Sequence, residues 1–343
     1  NIDNGWRSAT ARECIRPAMK RPNVTVLTGA HVMRVEIENG VAKGVRYQHK
    51  GQERIAYAGK EVVLSAGAFQ TPQLLMLSGI GPADHLREHG IEITADLPGV
   101  GENLQDHLEC HLKFNCPHKG MTKNHLMAQY RILLAGIRWY LFKNGPAATT
   151  HSRVGAFFKS SEEATHPDMQ FHFWPYFLEG WSPPPNKDGY CFDVGPTKSK
   201  SRGFVRLHSS DPFAAPRIRL NALSQQKDFE DFRTSIRIAR DVAGQHALDF
   251  CRGDEVVPGL EVQTDSQIDD YVREHANSAY HPAGTAKMGK DAMSVCDPQA
   301  RVHGIKGLRI ADASIMPTVT NGNINAPCMM IGEKVASMMM SQE

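Results

Sequence analysis

Two polar side chains in the last quarter of the sequence each lie beside a residue with a special backbone. His281 precedes Pro282, and Asn323 follows Gly322. Proline fixes its own φ angle, and glycine reaches conformations that other residues avoid. Such neighbours hold a side chain in one place and suit the interior of a helix or strand poorly. Each residue alone is also typical of an ordinary turn, but together they predict that the segment 279–333 forms a site.

Length and composition set wide bounds. The 343 residues suffice for two domains or one large one. With 39 basic and 37 acidic side chains the formal charge is +2, so the composition does not indicate a nucleic acid or another polyanion as a partner. The seven cysteines include no Cys-x-x-Cys pair, which predicts reduced thiols and neither a zinc site nor a disulfide framework.

Hydropathy gives the expected location. No apolar run approaches the ~20 residues that a membrane-spanning helix needs, and the N-terminus lacks the character of a signal peptide. We therefore expect a cytoplasmic protein, with peripheral binding to the inner membrane left open. Because the first residue is Asn1 instead of Met, the sequence is compatible with the remainder of a longer chain.

The first part of the chain is predicted to alternate helices and strands. The predicted elements are a helix from Ser8 or Thr10 to about Arg21 and strands over 24–27, 32–37, 41–47 and 61–67. Asn39-Gly40 is a strong signal for a two-residue hairpin between two of these strands. Pro72 is well placed to begin a helix that runs through Leu77.

The middle of the chain changes in character. We expect Thr122 to cap a helix that runs to about Lys143 and whose apolar face is formed by Leu126, Tyr130, Leu133, Ile137 and Leu141. Alternating residues then predict antiparallel strands over 154–158, 169–174, 190–194, 204–207 and 218–220, followed by helices over 224–245 and 265–276. The fold class is therefore a mixed α/β (α+β) arrangement that includes an antiparallel sheet backed by helices.

Two histidine patterns offer a different kind of function. His85, Glu88 and His89 have the spelling of an inverted zinc-protease helix. His107, Glu109 and His111 alternate, so in a strand they would share one face like a metal site. A solvated, charged helix explains the first pattern more simply. A metal-dependent hydrolase is nevertheless kept as the alternative from another class.

The site segment carries a family resemblance. It contains His281-Pro282-Ala283-Gly284-Thr285-Ala286-Lys287-Met288-Gly289, Gly307-Leu308-Arg309-Ile310-Ala311-Asp312-Ala313-Ser314-Ile315-Met316-Pro317 and Gly322-Asn323-Ile324-Asn325-Ala326-Pro327. This order resembles the C-terminal signature of the glucose–methanol–choline (GMC) family of flavin oxidoreductases. The run Gly67-Ala68-Phe69-Gln70-Thr71-Pro72-Gln73-Leu74-Leu75-Met76-Leu77-Ser78-Gly79-Ile80-Gly81 resembles the second signature of that family.

The resemblance implies FAD-dependent oxidation of an alcohol to an aldehyde or ketone. Hydride transfer needs a proton acceptor, a hydrogen-bond donor for the alkoxide and an electron sink, and side chains supply only the first two. By resemblance His281 is the catalytic histidine and Asn323 its His/Asn partner. The residues implied to lie near the FAD are Gly67, Ala68, Thr71, Pro72, Asp312, Ala313, Asn325 and Pro327, and no metal is implied.

The resemblance also implies which parts of the chain form the FAD-binding domain and which form the substrate domain. Residues 1–110 would be part of an FAD-binding domain, 111–276 mainly a substrate domain, and 277–343 the catalytic strands and a helix returning to the FAD-binding domain. The N-terminal Gly-x-Gly-x-x-Gly loop and the first family signature are absent from this sequence. Either a separate N-terminal chain completes the fold or the sequence is a fragment, and a truncated, non-catalytic product stays among the alternatives.

Within the family, the chain resembles the choline dehydrogenase-like group, in runs such as Ser201–Leu207 and Pro258–Asp265. Choline-oxidising members carry a glutamate at the position where this chain has Arg153. The guanidinium of Arg153 would repel a cationic substrate and could pair with an anionic one. Alternatively, Arg153 faces solvent or the alignment is shifted by one residue. His172 matches an active-site histidine, and Trp174 is expected in a cation-binding wall. Choline dehydrogenase proper is therefore the alternative enzyme, and the electron acceptor, quinone or dioxygen, stays open.

Overall fold

The computed structural model describes residues 2–150, 154–180 and 182–341. Its strands are β1 Ile2–Asp3, β2 Trp6–Arg7, β3 Ala30–Glu38, β4 Val41–His49, β5 Gln52–Tyr57, β6 Val62–Leu64, β7 Ile80–Gly81, β8 Ala95–Asp96, β9 Leu108–Asn115, β10 Val154–Phe158, β11 Met169–Trp174, β12 Gly189–Pro196, β13 Phe204–Arg206, β14 Arg217–Arg219, β15 Glu255–Val257, β16 Asn277–Ser278 and β17 Leu308–Ile310. Its α-helices are α1 Arg16–Ala18, α2 Gly67–Leu77, α3 Ala83–Glu88, α4 Gln129–Phe142, α5 Gln226–Gly244, α6 Asp265–His275 and α7 Asn325–Met340.

The chain forms two compact units. The first unit comprises Asn1–Thr25, Leu108–Lys198 and Gln226–Ser278, and the second comprises Val26–His107, Ser199–Gln225 and Ala279–Glu343. Mixed helices and antiparallel sheets confirm the predicted fold class. The assignment of chain regions to cofactor and substrate stays a prediction.

The first unit is built on an antiparallel sheet with the strand order β10-β11-β12-β9-β15, and β16 also pairs with β9. Alternate residues of the central strands are apolar and buried, among them Phe171, Phe192 and Leu112. The helix α5 packs on β12 and buries its own apolar stripe, which includes Phe232 and Ile236. Side chains of the opposite sheet face are therefore free to carry polar groups.

The second unit contains a three-stranded antiparallel sheet, β3-β4-β5, and the parallel pairs β6–β17 and β7–β8. The hairpin predicted at Asn39-Gly40 is confirmed, since both residues have positive φ angles (51° and 72°) between β3 and β4. The core of this unit includes Leu75, Ile80 and Ile310, which are fully buried. Here β6 pairs with β17, the strand that precedes Asp312, and α2 packs against Ala313–Ile315, which follows it.

Two predictions of local structure are wrong, and one predicted helix is shorter than expected. Residues 24–27 belong to no strand in the described part of the chain, since strand-forming residues alone do not supply a partner. The first predicted helix is confirmed in position but ends earlier, at Ala18, and it consists of a π-helical segment, Ala11–Ile15, followed by the short α1. The helix α2 begins at Gly67, so Pro72 lies inside it. The Ala68 carbonyl, which a proline cannot bond, instead accepts the Thr285 hydroxyl at 2.6 Å.

The helix predicted from Thr122 to about Lys143 begins later than expected. Thr122 lies at the N-cap position of a 3-10 helix but makes no capping bond, since its hydroxyl oxygen accepts the N–H of Gly189 at 3.3 Å and its proton is donated to Asp188 Oδ1 at 2.6 Å. Lys123–Met127 is a 3-10 helix, and the extended Ala128 (ψ 132°) separates it from α4. The apolar residues expected to face a core within α4 are exposed, and none of the helix is buried. The other helices and strands predicted for the middle of the chain are confirmed to within a few residues.

Candidate active site

His281 lies in the second unit between an amide and a second imidazole. Its Nε2 is 3.1 Å from Asn323 Nδ2, and its Nδ1 is 3.1 Å from His107 Nδ1. Its backbone N–H donates to Asp106 Oδ1 at 2.9 Å. The structure thus brings together both predicted catalytic residues, 42 positions apart in sequence.

The hydrogen-bond partners of the His281 ring indicate which of its two nitrogens carries the proton. Because an amide nitrogen donates and does not accept, the contact with Asn323 Nδ2 is a hydrogen bond in the tautomer whose His281 Nε2 carries no proton. In that tautomer the ring proton lies on Nδ1, the nitrogen that faces His107 Nδ1. An unprotonated Nε2 beside an amide donor is suited to take a proton from a hydroxyl that the amide also contacts.

The backbone around His281 is clamped by the segment 103–107. Gln105 and Ala283 exchange two backbone hydrogen bonds, of 3.0 and 2.9 Å, and the His107 carbonyl accepts the N–H of Ala279 at 2.8 Å. Between these contacts Tyr280 adopts a left-handed backbone with φ 62°. That conformation is unfavourable for a residue with a Cβ, and it is typical of functional sites. The ring of His281 is therefore positioned by a strained loop between two fixed points.

Three of the predicted cofactor residues meet at one carboxylate. Asp312 is buried, and its Oδ2 accepts the Gly67 N–H at 2.9 Å and the Thr71 hydroxyl at 2.6 Å, while its Oδ1 accepts the Ser314 N–H at 2.8 Å. Gly67 has φ +84°, and no atom of the described residues lies within 4 Å of the position that a Cβ would take. The carboxylate thus ties the strand-to-helix turn at Gly67 to the end of β17.

The remaining predicted cofactor residues lie near the same turns. Ala68 and Pro72 belong to α2, and Ala313 follows Asp312. Asn325 is exposed and begins α7, with the half-buried Pro327 in the first turn. No side chain caps α7, so its first N–H groups are available to an acceptor.

The predicted substrate residues of the first unit lie on the polar face of its sheet. His172 in β11 is opposite Asp193 in β12, which is opposite His111 in β9. Asp193 is buried, its Oδ1 is 2.5 Å from His111 Nδ1, and its Oδ2 accepts the indole N–H of Trp174. The hydrogen bond to Asp193 raises the pKa of His111, whereas burial lowers the pKa of His172. Arg153 lies outside the described residues.

Sequence reasoning placed Asp106 and His107 in a run that resembles the family, but it gave no role to Asp106 or Asp193 and a specific role to His107 only as a metal ligand. A signal was present for Asp193, because a charged residue within the apolar run of β12 needs a partner. The partnership of His107 with His281 spans 174 positions, and neither spacing nor periodicity reveals it.

The metal-site alternative finds no support in the described part of the chain. Ranges 2–150, 154–180 and 182–341 contain no group of three His, Cys, Asp or Glu that could hold an ion. The Nε2 of His85 accepts the N–H of Leu207 at 3.0 Å, and burial lowers the pKa of His85. His107 lies directly before β9, and its ring contacts the ring of His281. His85 is therefore engaged in the second unit as a neutral acceptor.

Comparisons with known proteins agree on one family. Two family models, each described as GMC oxidoreductase, match residues 1–109 and 199–332. A curated relative, the oxygen-dependent choline dehydrogenase of Brucella ovis, is 44% identical over 340 residues, which are 98% of this chain and 61% of the relative. The chain thus spans about three-fifths of the length of such relatives.

Solved structures give the same result. A crystal structure of formate oxidase matches with a TM-score of 0.92 and 28% identity, covering 100% of this chain and 64% of the oxidase. Pyridoxine 4-oxidase from Mesorbium loti matches with a TM-score of 0.86 and 28% identity, covering 99% of this chain and 63% of the oxidase.

Proposed function

This chain belongs to the GMC oxidoreductase family, and we propose that it carries the catalytic residues of an FAD-dependent enzyme that oxidises an alcohol to an aldehyde or ketone. The observation that carries the proposal is the position of His281, whose Nε2 lies 3.1 Å from the amide nitrogen of Asn323. A base and a donor at one point are what the removal of a hydroxyl proton requires.

The residues present fit a flavin. The open space beside the Gly67 backbone lets a ligand approach the chain closely. Ser314 Oγ is buried without a hydrogen-bond partner among the described residues, and the first turn of α7 has no side-chain cap. The residues proposed to hold FAD are Gly67, Ala68, Thr71, Pro72, Asp312, Ala313, Asn325 and Pro327. When bound, FAD supplies the hydride acceptor that side chains lack.

His281 and Asn323 have separate tasks in this proposal. His281 Nε2 takes the proton of the substrate hydroxyl, and the Asn323 amide donates to the oxygen as negative charge develops there. His107 accepts the Nδ1–H of His281 and fixes the tautomer. Asp106 holds the backbone of the histidine in place through the 2.9 Å bond to its N–H.

For the substrate we propose a small alcohol, with His172, Trp174 and Arg153 as binding residues. Choline is a candidate, because the relatives at 44% identity are named choline dehydrogenases. The indole ring of Trp174 is suited to a quaternary ammonium group, whereas the guanidinium of Arg153 favours an anionic alcohol. Trp174 therefore favours a cationic substrate and Arg153 an anionic one, and an experiment with both kinds of alcohol can distinguish the two.

The electron acceptor, a partner chain and the location in the cell are proposed next. The relatives are named oxygen-dependent, which supports dioxygen as electron acceptor over a quinone. Since this chain matches 61% of such a relative, a separate N-terminal chain could supply the rest of the fold. None of the helices in the described ranges is long and apolar enough to cross a bilayer. We propose a cytoplasmic protein that associates peripherally with the inner membrane.

The test is an absorption spectrum of the purified chain after incubation with FAD. It is recorded once for this chain by itself and once with a second chain that corresponds to the part of the relatives this chain does not match. We expect flavin bands that bleach when alcohol is added without an acceptor. Bleaching by choline would show that Arg153 does not exclude cationic substrates. Bleaching by an anionic alcohol but not by choline would support Arg153 as the residue that selects an anionic substrate. The absence of flavin bands in both samples would contradict the proposed function and favour a non-catalytic product.

A further inference from the structure

The outer face of α4 is apolar and uncovered. Residues at helical spacing place one continuous stripe there, formed by Tyr130, Leu133, Leu134, Ile137, Tyr140 and Leu141. All six are exposed, with Leu133 at 64% and Tyr140 at 71%. Contiguous exposed apolar patches are uncommon on soluble proteins and mark sites where a partner or a membrane binds.

The opposite side of α4 is anchored within the first unit. The ring of Trp139 meets that of Trp6 edge-on, with centroids 4.7 Å apart, and its Nε1 donates to the Gly5 carbonyl at 2.6 Å. Lys143 Nζ lies 4.6 and 4.7 Å from the centroids of the same two rings. These contacts turn the Trp139 side of the helix toward Trp6, and the stripe lies on the remaining side, with Tyr140 at its edge because its ring centroid is 5.0 Å from the same Lys143 Nζ.

The charged residues beside the stripe are all cationic. Arg131 and Arg138 flank it, and their Nε atoms donate to uncharged partners, the Tyr130 hydroxyl and the Asn144 side chain, each at 2.8 Å. From position 110 to 161 the sequence contains no Asp or Glu, whereas Lys or Arg occurs at 113, 119, 123, 131, 138, 143, 153 and 159. The segment of sequence that contains the stripe therefore carries only positive charge, and the acidic side chains nearest to it in the structure, Glu13 and Asp188, come from other segments.

We infer that this face of α4 docks on an anionic lipid surface. An apolar stripe with aromatic residues, flanked by arginines, is the arrangement by which helices lie in a membrane interface, where anionic headgroups attract the cationic rim. With 14 residues, α4 is too short to span a bilayer. In a two-fold symmetric dimer formed through this face, the stripes of the two copies would contact each other. The Arg131 and Arg138 side chains of both copies would then lie in one interface. That repulsion favours lipid over a second copy.

The inference rests on the peripheral association proposed above and names the surface responsible, but it does not rest on alcohol oxidation. Its test is sedimentation of the chain with vesicles of phosphatidylcholine alone and of phosphatidylcholine mixed with phosphatidylglycerol. We expect binding to the mixed vesicles that weakens as salt is added. We expect Leu133→Glu to weaken that binding at least about tenfold, by placing a carboxylate in the interface.

Leu260→Glu is the matched control, because Leu260 is 67% exposed in the same unit but lies outside α4. It should bind mixed vesicles like the parent chain, and circular dichroism should show both variants folded. Equal binding to both vesicle types, or binding to neither, would overturn the inference. Undiminished binding by Leu133→Glu would leave peripheral association standing but remove α4 from it. A dimer in light scattering that Leu133→Glu separates would assign the stripe to a second copy instead.

Discussion

His281 and His111 show two ways in which a fold holds an imidazole. His111 lies within the regular strand β9, and its Nδ1 contacts the buried carboxylate of Asp193 at 2.5 Å. His281 lies on a loop after a left-handed residue, and its ring nitrogens contact an amide and another imidazole. A carboxylate stabilises the protonated ring, whereas two neutral partners leave a nitrogen lone pair available. The carboxylate partner therefore raises the pKa of His111, whereas the contacts of His281 suit the role of base that we propose for it.

Removing the His281 ring should have the largest effect. We expect His281→Ala to lower turnover on the order of 10³-fold, because a positioned general base contributes about 10²- to 10⁴-fold. The fold should be retained, since the ring is only partly buried. The measurement is the rate of alcohol-dependent flavin reduction in whichever form of the chain binds FAD.

The control for that variant is His246→Ala, because His246 is exposed and pairs only with Asp249 on the surface among its described contacts. It should keep the parent rate. A near-normal rate in His281→Ala would refute the assignment of this residue as the base.

Asn323 should matter less than His281 and in a different way. We expect Asn323→Ala to lower the rate about 10²-fold, the usual loss for one donor to a developing oxyanion. Asn323→His keeps a ring N–H that can donate, so it should recover part of the rate. The measurement is kcat and KM for the same alcohol with all three proteins. If Asn323→Ala changed only KM, the amide would bind substrate without stabilising the transition state.

Asp193→Asn tests the other histidine. It removes the carboxylate that raises the pKa of His111, and we expect the free energy of unfolding to fall by about 1.5–3 kcal/mol, the range for hydrogen bonds to charged groups. Because the folded pKa of His111 is raised, its contribution is complete below the unfolded value of about 6.5 and is lost as the pH rises through the folded value. The difference between the proteins should therefore be larger at about pH 5.5 than at about pH 9.

Urea unfolding at both pH values measures that difference. The control is Asp270→Asn, which breaks the exposed pair with Arg273 and should cost less than about 1 kcal/mol at either pH. A loss that did not depend on pH would mean that Asp193 acts mainly through the indole of Trp174, whose charge does not change.

The same two histidines mark how far the sequence alone could lead. His281, Asn323 and the turn at Gly67 were predicted because local signals and a family signature coincide there. The hairpin at Asn39-Gly40 was predicted because its geometry is encoded in two adjacent residues. By contrast, the contacts of His281 with Asp106 and His107 join positions about 175 apart, and no local rule contains them.

The failures have physical causes of the same kind. The stripe on α4 has the periodicity of a core-facing helix, but periodicity does not say which surface covers it. Pro72 was expected at a helix start because proline lacks a donor, yet here the Thr285 hydroxyl supplies the missing hydrogen bond. Both depend on partners distant in sequence.

The smallest effect concerns the strained loop that distinguishes His281 from His111. At Tyr280, with φ 62°, glycine avoids the left-handed penalty that alanine pays, so Tyr280→Gly should be more stable than Tyr280→Ala by about 1 kcal/mol. Both variants lose the same exposed ring, which makes alanine the matched control. At ordinary positions the order is reversed, because glycine loses more freedom on folding. Urea unfolding of the two variants decides: if alanine were the more stable, the loop would not be strained, and His281 would be held by its side-chain partners alone.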